Sequence, residues 1–149
     1  MPEYSISQIR VRYVETDQMG FAHHSNYLAW FEVARTDLFR QRGVPYAEVE
    51  RAGYYLPVLE AQCRYLRAAH YDDLLEIRAR LAEIRGLRLR LEYEVFRVGE
   101  EKPLAVGSTT HAFINREGKP VNLKKENPAL WAKVTGESAV PLERKTASS

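Results

Sequence analysis

The sequence predicts an α+β fold in which one long helix fills one face of a five-stranded antiparallel sheet. Three observations carry it: a strongly apolar helical stripe early in the chain, period-two segments before and after it, and short turn-forming breaks between the later segments. The order of elements is strand, long helix, then four strands.

Ile9-Arg10-Val11-Arg12-Tyr13 alternates apolar and charged residues and predicts the first strand. Val14 to Gly20 loses the alternation and predicts a loop. Ser25 then stands where a cap belongs. Tyr27, Phe31, Ala34 and Leu38 fall on one helical face, widened by Leu28, Trp30 and Phe39, until Gly43 and Pro45 stop the helix. Pro45 to Arg51 predicts a short helical turn closed by Gly53. Four strands follow over Leu56 to Leu66, Leu74 to Ile84, Leu87 to Val98 and Leu104 to Ile114. The third has the cleanest pattern, with Leu87, Leu89, Leu91, Tyr93 and Val95 alternating with Arg88, Arg90, Glu92 and Glu94. His70-Tyr71-Asp72-Asp73, Arg85-Gly86, Gly99 to Pro103 and Asn115 to Gly118 are spaced as the connections. Asn127-Pro128 caps and opens a last short helix through Val134. Residues 1–136 therefore form one domain, and 137–149 read as a flexible tail.

Composition bounds the function. At 149 residues the chain is one domain, and a net charge of +2 gives no general attraction to nucleic acid or an anionic membrane. Its single cysteine, Cys63, excludes an internal disulfide and a thiolate metal cage within one chain, which fits a reducing compartment. No segment approaches the roughly 18 apolar residues of a membrane span, so a soluble, cytoplasmic protein is expected. One helix on five strands leaves apolar surface uncovered, and a homo-oligomer, a dimer or a dimer of dimers (homotetramer), is expected to cover it.

The polar residues least explained by folding crowd into the strand-to-helix connection: Tyr13, Glu15, Thr16, Asp17, His23, His24, Ser25 and Asn26. Free N–H groups and the positive dipole end at a helix start attract an anion or a developing oxyanion. The same residues equally suit a capped helix start with turn residues and solvated histidines. His23 and His24 are adjacent rather than four apart, and His70 and His111 lack a matching carboxylate spacing, so no metal is expected. There is no G-x-S-x-G elbow, Walker loop or G-x-G-x-x-G run. A carboxylate, an imidazole and a phenol beside a helix start suit an electrophilic carbonyl with a good leaving group, as in a thioester, whose thiol leaves with a pKa of about 8.5.

Val11-Arg12-Tyr13-Val14-Glu15-Thr16-Asp17-Gln18-Met19-Gly20-Phe21-Ala22-His23-His24-Ser25-Asn26-Tyr27, followed by Glu32-Val33-Ala34-Arg35, resembles the opening of the hotdog-fold acyl-CoA thioesterases of the 4-hydroxybenzoyl-CoA thioesterase and YbgC type. Arg67 to Ile77 resembles the family's A-x-x-D-x-L-x-I connection, so the likeness runs through residues 8 to 115. It implies the hotdog fold, hydrolysis of an acyl-CoA or acyl carrier protein thioester without a cofactor, and a catalytic set of Asp17, His24 and Tyr13. In it Asp17 acts as nucleophile or base, and the His24 N–H polarises the carbonyl. The chain departs from the pattern at Glu15, where Asp is common, and at Phe21-Ala22. Arg64, Arg85 and Arg88 are candidates for the CoA phosphates. Glu32 and Arg35, three apart, read as a helix ion pair. Two alternatives keep the fold: a binding module that leaves the thioester intact, and a dehydratase pairing His24 with Glu32.

Overall fold

The computed structural model describes residues 4–136. Strand β1 (Tyr4–Arg10) lies earlier than the Ile9–Tyr13 alternation suggests. Its inner face is Ser5, Ser7 and Ile9, with both serines buried, while Ile6 faces out. The chain leaves the sheet after Arg10, and a 3₁₀ turn takes Tyr13–Glu15, which leaves Tyr13 78% exposed. Small hydroxyls pack here because helix α1 (Asn26–Gln41) comes close. Ser5 Oγ donates to the Ala34 carbonyl at 3.1 Å and Ser7 Oγ to Asp37 Oδ2 at 2.5 Å.

Helix α1 buries Tyr27, Trp30, Phe31, Ala34, Leu38 and Phe39, as its stripe requires, but Leu28 is 45% exposed and does not widen it. Gly43 follows the helix at φ +80, a left-handed turn that stops it. Then come α2 (Tyr46–Arg51), β2 (Tyr54–Tyr55), β3 (Val58–Tyr65), β4 (Leu74–Arg85), β5 (Arg88–Arg97), β6 (Ala105–Ala112), β7 (Ile114–Asn115), α3 (Leu123–Glu126) and α4 (Pro128–Thr135). The main sheet has the order β1-β4-β5-β6-β3 with antiparallel neighbours, and β2 pairs with β7 in a two-stranded ribbon. Asn127 opens α4 as expected, its side chain accepting from Leu130 N–H at 3.1 Å. The expected tail, 137–149, lies outside the described residues.

The core sits between α1 and the inner face of the sheet, where Leu75, Ile77, Leu89, Leu91 and Val95 are completely buried. Helix α1 runs closest to β1 and β4 rather than along the middle, and reaches further strands through large side chains. Phe31 lies flat on Tyr93 of β5, with ring centroids 4.3 Å apart, and also covers Gly107 of β6. A Cβ at Gly107 would stand 2.5 Å from both the Phe31 ring and the Gln62 carbonyl, so only glycine fits there. On β3, by contrast, Cys63 alone is even partly buried, and Val58 and Tyr65 are each 47% exposed.

One polar chain crosses this core. Arg35 donates to the Tyr93 hydroxyl at 3.1 Å, Tyr93 meets Thr109 Oγ1 at 2.6 Å, Thr109 meets His111 Nε2 at 2.8 Å, and His111 Nδ1 meets the Leu56 carbonyl at 3.3 Å. The Arg35 guanidinium can only donate and the Leu56 carbonyl can only accept, so with a neutral imidazole the two ends together set the direction of every bond. Tyr93 O–H donates to Thr109, Thr109 O–H to His111 Nε2, and His111 keeps its one proton on Nδ1. Burial first, and then the nearby Arg35 charge, push the His111 imidazole down to about 4, which keeps it neutral. Arg35 thus turns inward, and the expected ion pair with Glu32 is absent among the described residues.

Candidate active site

The loop that joins β1 to α1 is a small ribbon closed by a tight turn. His23 N–H donates to the Glu15 carbonyl at 2.7 Å, Thr16 bridges Ala22, and Asp17 N–H donates to the Phe21 carbonyl at 2.9 Å. The turn over Asp17 to Gly20 closes with Gly20 N–H on the Asp17 carbonyl and Gly20 at φ +80. The ribbon leans on the sheet through Ala22 N–H to the Ala69 carbonyl at 2.7 Å and a bridge between Phe21 and His70.

Asp17 is half-buried, and its Oδ1 accepts from Met19 N–H at 2.9 Å and Phe21 N–H at 3.3 Å. Its Oδ2 has no partner among the described residues. Two backbone donors fix the carboxylate's orientation and leave one oxygen open to react.

The start of α1 is similarly half-committed. Ser25 N–H donates to His23 Nδ1, Asn26 N–H to the His23 carbonyl and Tyr27 N–H to the His24 carbonyl. His24 N–H, next in line, has no acceptor among the described residues. Ser25 does not cap as expected: its backbone is already helical, and its hydroxyl turns back to His23 Nδ1 at 2.8 Å. The His24 ring lies against the His23 ring at 4.2 Å and meets the edge of Tyr65 at 6.2 Å. Tyr65 of β3 also donates its hydroxyl to the His24 carbonyl at 3.3 Å. Desolvation of that hydroxyl, then the adjacent Cys63 thiol, push the Tyr65 phenol up to about 12, and burial pushes the Cys63 thiol up as well. Both keep their protons, so Cys63 is no nucleophile.

Glu15 is the residue that spacing undervalued. It is 7% exposed, with Oε1 accepting from Arg12 N–H at 2.8 Å and Oε2 from Arg12 Nη2 at 3.2 Å and Trp30 Nε1 at 3.3 Å. Its carbonyl also receives Asn26 Nδ2 at 2.8 Å. A buried carboxylate with this many donors is an anchor for the ribbon as well as the last residue of its 3₁₀ turn. The one signal for it was Trp30, an indole on the helix stripe that needs an acceptor when buried.

The other candidates are dispersed. Tyr13 projects from its turn, edge-on to the exposed Tyr71 ring at 5.7 Å. Glu32 is two helical turns beyond His24, about 12 Å along the axis, so the two do not meet at one substrate atom. Arg64 lines a depression of about 780 Å³ on the outer face of the sheet, with Arg78, Arg80, Arg90, Glu92 and Glu94. That concavity is on the side of the sheet opposite α1, and its cations are partly spent on Glu76 and Glu92. Arg85 pairs with Glu83 at 2.9 Å and faces Arg88 across the β4–β5 hairpin. The 12 residues of β4 separate that hairpin from the Asp73 end by about 36 Å.

A profile of the thioesterase-like superfamily matches residues 11–138, which spans the ribbon, α1 and every strand after β1. The chain belongs to this superfamily. As a thioesterase-like chain it is 32% identical over 125 residues to the Bacillus subtilis (strain 168) protein YneP, covering 83% of this chain and 90% of that one. It is 31% identical over 81 residues to the acyl-CoA thioester hydrolase YbgC of Escherichia coli O157:H7, covering 54% and 60%. Among solved structures, the DHNA-CoA thioesterase of Staphylococcus aureus superposes with a TM-score of 0.84 at 31% identity, covering 97% of this chain and 94% of that one. The fold of this thioesterase-like chain is the hotdog fold.

Proposed function

We propose that the protein is a thioester hydrolase that cleaves an acyl-CoA to a carboxylic acid and free CoA. One observation carries the reading: on a single ribbon, Asp17 keeps an open carboxylate oxygen while the start of α1 keeps an uncommitted His24 N–H. The named activities of YbgC and of the Staphylococcus enzyme support the same class.

In this reading the thioester carbonyl accepts from His24 N–H, and the positive end of α1 adds to the stabilisation. Such a donor is worth about 3 kcal/mol to a developing oxyanion. Asp17 Oδ2 either adds to the carbonyl carbon or takes a proton from the water that adds. On both routes the C–S bond breaks and its electron pair leaves on sulfur as CoA thiolate. Attack by Asp17 leaves an acyl–aspartyl anhydride that water opens at the Asp17 carbonyl carbon, so that Asp17 Oδ2 departs with the acid and the water oxygen stays on Asp17. Direct attack by water instead places the water oxygen in the acid. A thiolate leaves without a strong general acid, so one carboxylate and one donor suffice. The exposed His24 ring orients the carboxylate or the water. Tyr13 is assigned to contact with the substrate at the rim, because its hydroxyl has no hydrogen bond among the described residues.

The site is completed by a second copy of the chain, docked along the open edge of β3. Two β3 strands pairing edge to edge would cover Val58 and Tyr65. Arg64, Arg85 and Arg88 then serve the CoA phosphates of a composite site, with Arg85 and Arg88 offered by the partner copy. The charged outer face suits the second contact of a dimer of dimers.

The test is hydrolysis of short-chain, long-chain and aromatic acyl-CoAs, followed by release of free thiol. Asp17→Asn is expected to lower kcat by about 10²- to 10⁴-fold. Wild-type turnover that matches Asp17→Asn on every thioester would remove the assignment. Incorporation of labelled water oxygen into Asp17 during one turnover separates attack by the carboxylate from attack by water.

A further inference from the structure

We propose that Arg97, at the end of β5, is a positioning residue for Asp17; this rests on the hydrolase reading above. Arg97 touches nothing in the ribbon. Its guanidinium instead clamps the turn on which the ribbon leans. Nε donates to Asp73 Oδ2 at 3.0 Å, Nη2 to the Ala68 carbonyl at 2.8 Å and Nη1 to Glu100 Oε2 at 2.9 Å. Asp73 Oδ2 in turn accepts His70 N–H at 2.8 Å. His70 bridges Phe21 through the backbone and meets its ring edge-on at 5.3 Å. Phe21 then exchanges hydrogen bonds with Asp17 in both directions, its N–H reaching Asp17 Oδ1 and its carbonyl accepting Asp17 N–H.

The relay is therefore Arg97, Asp73, His70, Phe21, Asp17, with a hydrogen bond or a backbone bridge at every step. The Arg97 and Asp73 side chains are only 24% and 21% exposed, so their pairing is less screened than the outer-face ion pairs. Two guanidinium nitrogens hold the two ends of the 68–73 turn, at Ala68 and Asp73, while the third is braced on Glu100, which fixes the turn in rotation as well as position. A lysine ammonium lacks that fork. The expectation follows from the sensitivity of catalysis to placement, since about 1 Å of misplacement costs on the order of 10²-fold.

The experiment is a cycle of four full-length proteins: wild type, Arg97→Met, Asp17→Asn and the double variant, assayed on the most rapidly cleaved acyl-CoA. Arg97→Met is expected to lower kcat at least tenfold with KM within twofold, and to lower the residual rate of Asp17→Asn no further. Arg97→Lys should recover part of the loss. A residue that merely supported folding would lower both backgrounds by the same factor, and that result, or near-normal kcat in Arg97→Met, overturns the proposal. If Arg97→Met does not fold, Arg97→Lys takes its place in the same cycle. Full activity in Asp17→Asn overturns the reading of Asp17 and this proposal together, whereas an inactive Asp17→Asn beside an active Arg97→Met overturns this proposal alone. A second readout needs no turnover. In ¹H–¹⁵N spectra of Arg97→Lys, amide shifts should extend from His70 through Phe21 to Met19, and shifts that stop at His70 overturn the relay.

Discussion

The two edges of the sheet are finished in different ways. Along β1, Ser5 and Ser7 let α1 settle close, and hydroxyl bonds to Ala34 and Asp37 close the seam within the chain. Along β3, no helix among the described residues packs as closely, and Val58, Leu59, Tyr65 and Leu66 remain nearly half exposed. The residue sizes explain the difference: serine admits a neighbouring helix, while the larger side chains of β3 do not. One edge is completed by its own chain, and the other stays open, which is the edge we propose for a second copy.

The covered half should show the largest loss on truncation. Phe31→Ala removes the ring stacked on Tyr93, and urea denaturation should report about 3–5 kcal/mol of lost stability. A smaller effect should appear with pH. The folded imidazole of His111 is pushed down to about 4 from an ordinary 6.5, so the unfolded chain takes up the proton first on acidification. Stability from this group is complete above about pH 6.5 and is lost as pH falls towards 4, to the extent of about 3 kcal/mol. Unfolding free energies measured between pH 7 and 4.5 should therefore fall more steeply in the wild type than in His111→Gln.

Ser7→Ala should cost about 1–2 kcal/mol, because it strands a half-buried Asp37 oxygen under the β1 edge. The smallest folding effect belongs to the open edge. Leu59→Lys should change the stability of the single chain by no more than about 0.5 kcal/mol. It should nevertheless reduce the sedimenting mass to one chain of 17.2 kDa, since a charge on an edge strand opposes pairing. Unchanged association in that variant would move the interface away from β3.

Much of the fold was legible because strands β4 and β5 alternate in sequence as they do in space, and because Gly43, Gly86 and Asn127 mark real boundaries. β1 was misplaced because its inner face is serine, which carries no hydrophobic period. The two-residue strands β2 and β7 are too short to have one, and α3 has only four residues. In the site, Asp17 and His24 stood out by their loop and by family resemblance. Glu15 did not, since its role depends on Trp30, which reaches it only after α1 has packed. Arg35 was read as the partner of Glu32 because helix spacing describes a surface, and here the guanidinium turns into the interior.

The hydrogen-bond chain from Arg35 to Leu56 has one more consequence. Each hydroxyl in it gives one bond and receives one, so no member can change alone without leaving a neighbour unsatisfied. Valine at position 109 would match the shape of threonine and still strand both Tyr93 and His111. Arg35, Tyr93, Thr109 and His111 should therefore be inherited as a set: a descendant that loses the histidine gains freedom to lose the arginine, and one that keeps it must keep all four.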